Sequence, residues 1–566
     1  MKRFRFRMII PAYPDSGNIY SHVARRTTTL GAIVIATIVS RLLGWEVEIV
    51  DENNCSHRSR RKSRFGHFCP KDKFGRPDHL KLQEMRPADV VGFYGSLSST
   101  IPRLFEVAAL YKSLGVKTIA GGSHVSNLPE EALSNNIDVV AYAYHEKIDG
   151  VEVANSGDGE EIIKELLSAW QNAGTINHVK GVAYLDKDGQ MVKTEKRPPI
   201  TDFSAYPFPD FGLLMYAKVK IFPVSWWRGC PFNCEFCAVK GKPRCSPAER
   251  LFENIVYLVE NFGATKFFLV DDQVGGNHQL TDDIQETIKA FELIAGYEKE
   301  TGIRLSFTVQ IRLSGSDHLD LLKAMRKAGV DNVCIGYESP IDEDLKAMRK
   351  GLLAKDMIDR TLVFHRLGFN IHGMFIIFYP RKKDEPKTKL AVDDVVRIYR
   401  RFIKDAKIRT VQVLFTIPLP GTELRDRLMA EGRIYPLSQI GWKFYDGQYP
   451  IIPPDDGALP EEYQRAVIRI MAGFYNPVHL VKIIDSFLRF MVIVPPSVLT
   501  LPTLKVRYIT TSFRVWRRKF FQTSAIRFGG SLIVRNWLKK YAEGDFPARL
   551  RAAEAELKKQ NNNLGS

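Results

Sequence analysis

Cys230, Cys234 and Cys237 are spaced C-x3-C-x2-C within VSWWRGCPFNCEFCAVKGKPRCSP, the stretch from Val224 to Pro247. Three thiols within eight residues, following a strand pattern and sharing a loop with Gly229 and Pro231, can all turn toward one metal centre. Four-thiolate zinc and iron–sulfur sites need a fourth ligand. The nearby candidate is Cys245, eight residues beyond Cys237. One reading is a structural zinc knuckle using all four cysteines. The other is an iron–sulfur centre held by three, with one iron left open.

The elements that must position this loop follow from the rest of the chain. At 566 residues, with 45% hydrophobic and 26% charged residues, the sequence is globular and too long for one core. Its seven cysteines are few and odd in number, which favours a reducing, cytoplasmic compartment over a disulfide framework. The start, MKRFRFRMIIPAYP, reads as a strand rather than a signal peptide. The longest apolar run, Phe490 to Leu504, is interrupted by Pro495, Pro496 and Pro502, so no transmembrane helix is expected.

From residue 5 to 175 strand and helix patterns alternate: FRMIIPAY, a helix over Thr28 to Leu43, WEVEIVD, ADVVGFYG, a helix to Leu114, KTIAGGSH and a strand near Val139. That alternation implies a doubly wound parallel sheet. A polar, basic insertion at Asn53 to Leu80 reads as a long loop, and Val179 to Lys196 as a hairpin turning at Asp188-Gly189. Pro198, Pro199, Pro207 and Pro209 then mark a linker. A second series follows: VSWW, KFFLVDD, LSFTVQIR, NVCIGYES, IHGMFIIFYP and TVQVLFTIPLP, separated by helical patterns. Six β/α repeats are too few to close an eight-stranded barrel. The expected fold is therefore α/β: a Rossmann-like doubly wound parallel sheet (1–178), a hairpin and Pro-rich linker (179–215), a partial (β/α)6 TIM barrel (216–455) and a mainly helical, basic region (456–566).

The C-x3-C-x2-C loop after the first strand of a six-repeat series, with aromatic Phe236 before the last cysteine, resembles the radical S-adenosylmethionine (radical SAM) superfamily. The resemblance implies a [4Fe–4S] cluster on Cys230, Cys234 and Cys237, whose open iron chelates the amino and carboxylate groups of SAM. One electron then cleaves the sulfonium, and the resulting 5′-deoxyadenosyl radical takes a hydrogen atom from substrate. It also implies anaerobic operation and an external electron donor of the flavodoxin or ferredoxin kind. Strand-end residues that match family SAM contacts are Asp271, Asp272, Gln310, Arg312 and Glu338, together with Phe236. The bland alternative is that the acids cap following elements and Arg312 pairs with one of them. Cys334, inside a strand pattern, reads as a small buried residue.

The front domain resembles the cobalamin-binding domain that precedes the barrel in one branch of that superfamily, on the strength of VGFYGSLSST, AGGSHVSNLPEEAL and SGDGEE. The resemblance puts Tyr13, Thr29, Leu30, Ser96, Leu97, Ser98, Ser99, Gly121, Gly122, His124, Gly157, Gly159 and Glu160 at the corrin, with Leu97 and Ser98 beneath it. His124 is either a contact to the nucleotide tail or a loop histidine with local hydrogen bonds. The motif D-x-H-x-x-G is absent, so no lower axial ligand to cobalt is assigned. The domain could also be vestigial, with no ligand.

The charge of +17 is unevenly placed: twelve Lys and Arg against Asp485 alone between Val481 and Tyr541, with Trp516, Phe520, Phe521 and Trp537 interleaved. A peripheral contact with anionic lipid, nucleic-acid binding and simple packing on the barrel are the three readings, with membrane ranked above nucleic acid. The functional expectation is a cobalamin-dependent radical SAM C-methyltransferase acting on an unactivated carbon of a small hydrophobic, lipid-like substrate. Oxidative cyclisation is the alternative within the superfamily, and a non-catalytic corrinoid or iron–sulfur sensor the alternative outside it.

Overall fold

The computed structural model describes residues 3–14, 24–55, 68–148, 151–155, 158–383, 390–476 and 504–564. Gly157 and most of the apolar run at Phe490 to Leu504 lie outside the described residues, as does the middle of the basic insertion.

The first sheet is built from β1 (Phe4–Ile10), β2 (Trp45–Asp51), β3 (Val90–Tyr94), β4 (Lys117–Gly121) and β5 (Val139–Ala141), all parallel, in the order β2-β1-β3-β4-β5. A short antiparallel ribbon follows, β6 (Tyr144–Ile148) with β7 (Val151–Asn155). The expected hairpin, β8 (Val182–Leu185) and β9 (Met191–Lys193), then joins the first sheet antiparallel, beyond β5. Helix α1 (Leu30–Ser40) packs on β1 and β2, and helix α2 (Glu160–Gln171) packs on α1. The chain order reverses direction between β1 and β3, and in a doubly wound sheet the ligand crevice opens there, outside the strands' carboxyl ends.

The second sheet holds β10 (Phe222–Val224), β13 (Lys266–Leu269), β14 (Ser306–Gln310), β15 (Val330–Glu338), β16 (Asn370–Ile377) and β17 (Thr410–Phe415), parallel and in sequence order. Between β10 and β13 lies the small hairpin of β11 (Trp227–Arg228) and β12 (Arg244–Cys245). Pro223 is tolerated in β10 because that strand forms the sheet's edge. The expected VSWW strand is thus displaced: regular pairing ends at Val224, the chain turns at Ser225 and Trp226, and Trp227 begins the hairpin. Along β16 the burial alternates, with Ile371, Gly373, Phe375 and Ile377 buried and His372, Met374 and Ile376 half-buried. Parallel strands covered on both faces are apolar throughout. The alternation here reflects an inner face that six strands leave open.

Two polar devices are buried in the front domain. Arg7 is fully buried and its Nε lies 2.6 Å from Glu48 Oε1, while its other nitrogens donate to Tyr111 Oη at 2.9 Å and to the carbonyls of Leu82 and Arg86. Glu52 accepts from Arg103 at 2.6 Å. On the other flank of the first sheet, Phe93, Leu104 and Tyr111 share one apolar cluster with Trp442, Tyr449, Phe546 and Leu550. The last helices, α3 (Pro460–Phe474), α4 (Leu504–Glu543) and α5 (Phe546–Leu564), therefore bring the end of the chain back to its beginning.

Removing one partner of a buried ion pair leaves an uncompensated charge. Arg7→Met is expected to lower the stability of the front-domain transition by about 3 kcal/mol in urea melts. A loss below about 1 kcal/mol would show that Arg86, 2.8 Å from Glu48, suffices alone.

Candidate functional site

The thiol loop is anchored at both ends and in its middle. At its entrance, Asp271 Oδ1 accepts from the backbone amides of Trp226 (2.7 Å) and Trp227 (2.9 Å) and from Ser225 Oγ (2.9 Å). Asp272 Oδ2 accepts from Gly229 N at 2.9 Å. Gly229 has φ +90°, and a Cβ there would stand 3.0 Å from the Lys242 carbonyl oxygen, so the turn into Cys230 needs glycine. In the middle, Glu235 is buried between two of the cysteines. Arg427 donates to it through Nε (2.7 Å) and Nη2 (3.0 Å), and Tyr379 Oη at 2.6 Å. At the exit, the ammonium of Lys240 donates to the Cys234 carbonyl at 2.9 Å and pairs with Glu423 at 3.3 Å.

The three cysteines share one electrostatic neighbourhood. Burial pushes the Cys237 thiol up to about 11, with Cys230 and Cys234 adding to the rise, and burial raises Cys230 as well. Unligated, the Cys230 and Cys237 thiols are disfavoured as anions, and a cationic iron centre would reverse that preference. Cys245 does not join them. It sits on β12 opposite Trp227, packs against the hydrophobic core, and has Asp283, Glu286 and Asp271 as its charged neighbours. Cys245 so placed does not complete a four-thiolate zinc site with the other three. As the side chains stand, no three His, Cys, Asp or Glu groups among the described residues are gathered closely enough to hold a metal ion; a donor set of three thiols is the kind that would suit a cluster with one open iron.

Arg312, at the end of β14, reaches the loop directly. Its guanidinium lies 3.6 Å above the centre of the Phe232 ring, donates to Cys234 Sγ at 3.8 Å, and donates to the Lys350 carbonyl at 2.8 Å. Lys350 in turn pairs with Glu338 at 2.7 Å, both groups buried. Glu338 has φ +62°, a conformation that an L-residue adopts only under restraint, here at the carboxyl end of β15. Gln310 donates to the Asp271 carbonyl at 3.3 Å, and Phe236 lies edge-on to Tyr379 with ring centres 6.3 Å apart. Arg312 and Glu338 thus lie along one hydrogen-bonded line from Cys234. Asp271 is committed to holding the backbone of the thiol loop, rather than capping an element that follows it or pairing with Arg312. Its other oxygen is buried without a hydrogen-bond partner.

In the front domain nine of the candidate corrin residues divide among three adjoining hollows, while Ser98, Ser99 and His124 line none of them. A cavity of about 290 Å³ at the ends of β3 and β4 includes Tyr94, Ser96, Gly121, Gly122 and Gly159. Gly122 has φ +118°, and a Cβ on it would stand 2.5 Å from Ser96 Oγ. A second cavity of about 140 Å³, sharing Tyr94, takes Tyr13, Thr29 and Leu97. Leu30 and Glu160 line a third, beside Trp226 and Arg228. Ser98 and Ser99 are buried, and Leu97 is exposed. His124 makes local bonds: its ring nitrogens meet Ser98 Oγ at 2.9 Å and Glu131 at 3.3 Å, and its ring lies edge-on to Trp442. The glycine-bare wall and the polar rim fit a large planar ligand with a polar tail.

Four charged residues join the two halves. Arg228 on β11 pairs with Asp158 (2.8 Å) and Glu160 (2.5 Å), and Arg244 on β12 pairs with Asp158 (2.6 Å). These partners were not singled out in the sequence as a unit. The available signal was an arginine beside the first cysteine in WWRGC and a pair of acids in SGDGEE. Glu235 and Arg427 were also missed, being 192 positions apart.

Residues 224–392 match the model of the radical SAM superfamily. An uncharacterized methyltransferase of Pyrococcus horikoshii is 26% identical over 386 residues, 66% of this chain and 76% of that protein. The hopanoid C-2 methylase of Rhodopseudomonas palustris is 24% identical over 238 residues, so the match spans less than half of it (42%) and 41% of this chain. The structure of the cobalamin-dependent S-adenosylmethionine radical enzyme OxsB with aqua-cobalamin bound shares the fold, with TM-score 0.61, 13% identity, and coverage of 100% of this chain and 84% of that one.

Burial raises the Asp271 carboxyl from its ordinary value of 3.8 to about 7, the bonds from Trp226, Trp227 and Ser225 opposing the rise. The folded state then holds a proton that the unfolded chain has released across that window. Stability of the cluster-free protein should therefore fall as pH rises through it, by up to about 4 kcal/mol, and level off above it. Asp271→Asn, which keeps an oxygen acceptor for the two tryptophan amides, should flatten the slope in urea titrations at a series of pH values. An unchanged slope would assign it elsewhere.

Proposed function

We propose that this chain, a member of the radical SAM superfamily with the fold of its cobalamin-dependent branch, is a C-methyltransferase acting on an unactivated carbon of a hydrophobic, lipid-like substrate. The observation that carries the reading is the placement of the thiol loop against the front domain. The hairpin bearing Cys230 is ion-paired to the residues that begin α2, and Gly159 in the same turn lines the front-domain cavity of about 290 Å³. Cys230, Cys234 and Cys237 would hold the [4Fe–4S] cluster; the glycine-lined cavities would hold cobalamin. When bound, cluster and SAM supply one-electron hydrogen abstraction, and the corrin supplies a methyl group.

The chain's own residues contribute position and charge. Arg312 sets a cation beside the Cys234 sulfur, 3.8 Å away. Glu235, clamped by Arg427 and Tyr379, fixes the backbone between the second and third cysteines. Lys350 holds Glu338 at the end of β15, on the side where a barrel presents ligands. The substrate class is supported by the hopanoid methylases among the chain's relatives and by the open inner face of the barrel, where Met374, Ile376 and Leu414 are half-buried. An electron donor of the flavodoxin or ferredoxin kind is required by the same reading.

Anaerobic reconstitution with iron, sulfide, reductant and SAM is expected to yield 5′-deoxyadenosine, and Cys234→Ala to lose both iron and this product. Full iron retention in that variant would sink the cluster assignment. Gly122→Ala is expected to weaken hydroxocobalamin uptake roughly tenfold, about 1.4 kcal/mol, with iron content unchanged. Mass analysis of lipid extracts from cells with and without the protein should show a gain of one methyl group. A loss of two hydrogens instead would replace methylation by cyclisation.

A further inference from the structure

Helix α4 buries one line of residues and turns the opposite line outward. Gly530, Val534 and Trp537 are buried, and Trp537 Nε1 donates to the Gln448 carbonyl at 2.9 Å. At about 100° per residue, Phe521, Phe528, Leu532, Arg535 and Lys539 fall on the other side. Phe521 is 63% exposed, Phe528 60% and Leu532 45%. Arg535 and Lys539 are exposed one and two turns further on.

The charge on this helix is almost all of one sign. Between Leu504 and Glu543 the sequence has ten Lys and Arg against a single acid, Glu543, whose carboxylate lies 3.8 Å from Lys539 at the helix's last turn. At about 1.5 Å per residue the outward line from Phe521 to Lys539 runs roughly 27 Å, so it can lie along a flat surface. No described helix is long and apolar enough to cross a membrane.

We propose that the outward face of α4 docks on an anionic phospholipid surface, with Phe528 and Leu532 entering the boundary between headgroups and acyl chains and Arg535 and Lys539 meeting the headgroups. A membrane uses both features of the face. Apolar side chains leave water for the interfacial region, and juxtaposed cations are drawn to the negative surface potential. A polyphosphate partner would use the cations and leave the aromatic and aliphatic groups in water. This docking is independent of the reaction proposed above.

The test is flotation of the full-length protein with vesicles of phosphatidylcholine alone and of phosphatidylcholine mixed with phosphatidylglycerol. The protein should float with the mixed vesicles, weakly with the neutral ones, and less as salt is raised. A Phe528→Ser/Leu532→Ser double variant should bind mixed vesicles about tenfold more weakly while forming 5′-deoxyadenosine at the unaltered rate. Arg535→Glu/Lys539→Glu should remove the dependence on phosphatidylglycerol and leave the neutral-vesicle level as it was. Equal flotation with both vesicle types, unchanged binding in the Ser variant, or tighter binding to single-stranded RNA than to the mixed vesicles would each overturn the proposal.

Discussion

The arrangement depends on one cluster of charges at the seam between the two sheets. Asp158 and Glu160 stand at the start of α2, where a helix dipole favours anions, and face Arg228 and Arg244 on the two strands of the thiol hairpin. Both acids are buried. Taking such charges out of water is unfavourable unless each finds its partner, so the cluster forms well in one geometry and badly in its neighbours. It therefore fixes orientation more than it adds stability. The hairpin can present Cys230 only in the frame that the front domain dictates.

A similar division of labour runs through the carboxylates near the cysteines. Asp271 spends one oxygen on loop amides and is pushed toward its neutral form by burial, whereas Glu235 remains clamped by a guanidinium and a phenol. Glu338 is held in a left-handed conformation by a buried lysine. One acid shapes the entrance, another the middle of the loop, and a third the rim of the strands.

Much of this was legible in the chain. The thiol spacing, the alternation of strand and helix patterns and the glycine-rich strand ends are local signals, and the two parallel sheets appear in the expected order. The VSWW segment misled because its apolar run continues past Val224, while the pairing is ended by Asp271, whose grip on Trp226 and Trp227 comes from another strand. The ambiguity over Cys245 could not be resolved by spacing, since eight residues of loop permit either answer. What decided it was pairing with Trp227, a register that depends on the hairpin as a whole. Arg427 and Glu235 share no local pattern at all.

The apolar cluster that joins Phe93 and Tyr111 to Phe546 and Leu550 bears on how the molecule is made. During synthesis the front domain emerges well before the helix that completes one flank of its sheet. Contacts of such long sequence separation close slowly, and until they close the nascent front domain presents Trp- and Tyr-binding apolar surface to the cell. The front domain's sheet thus reaches its finished form only after a segment more than 400 positions downstream has been made.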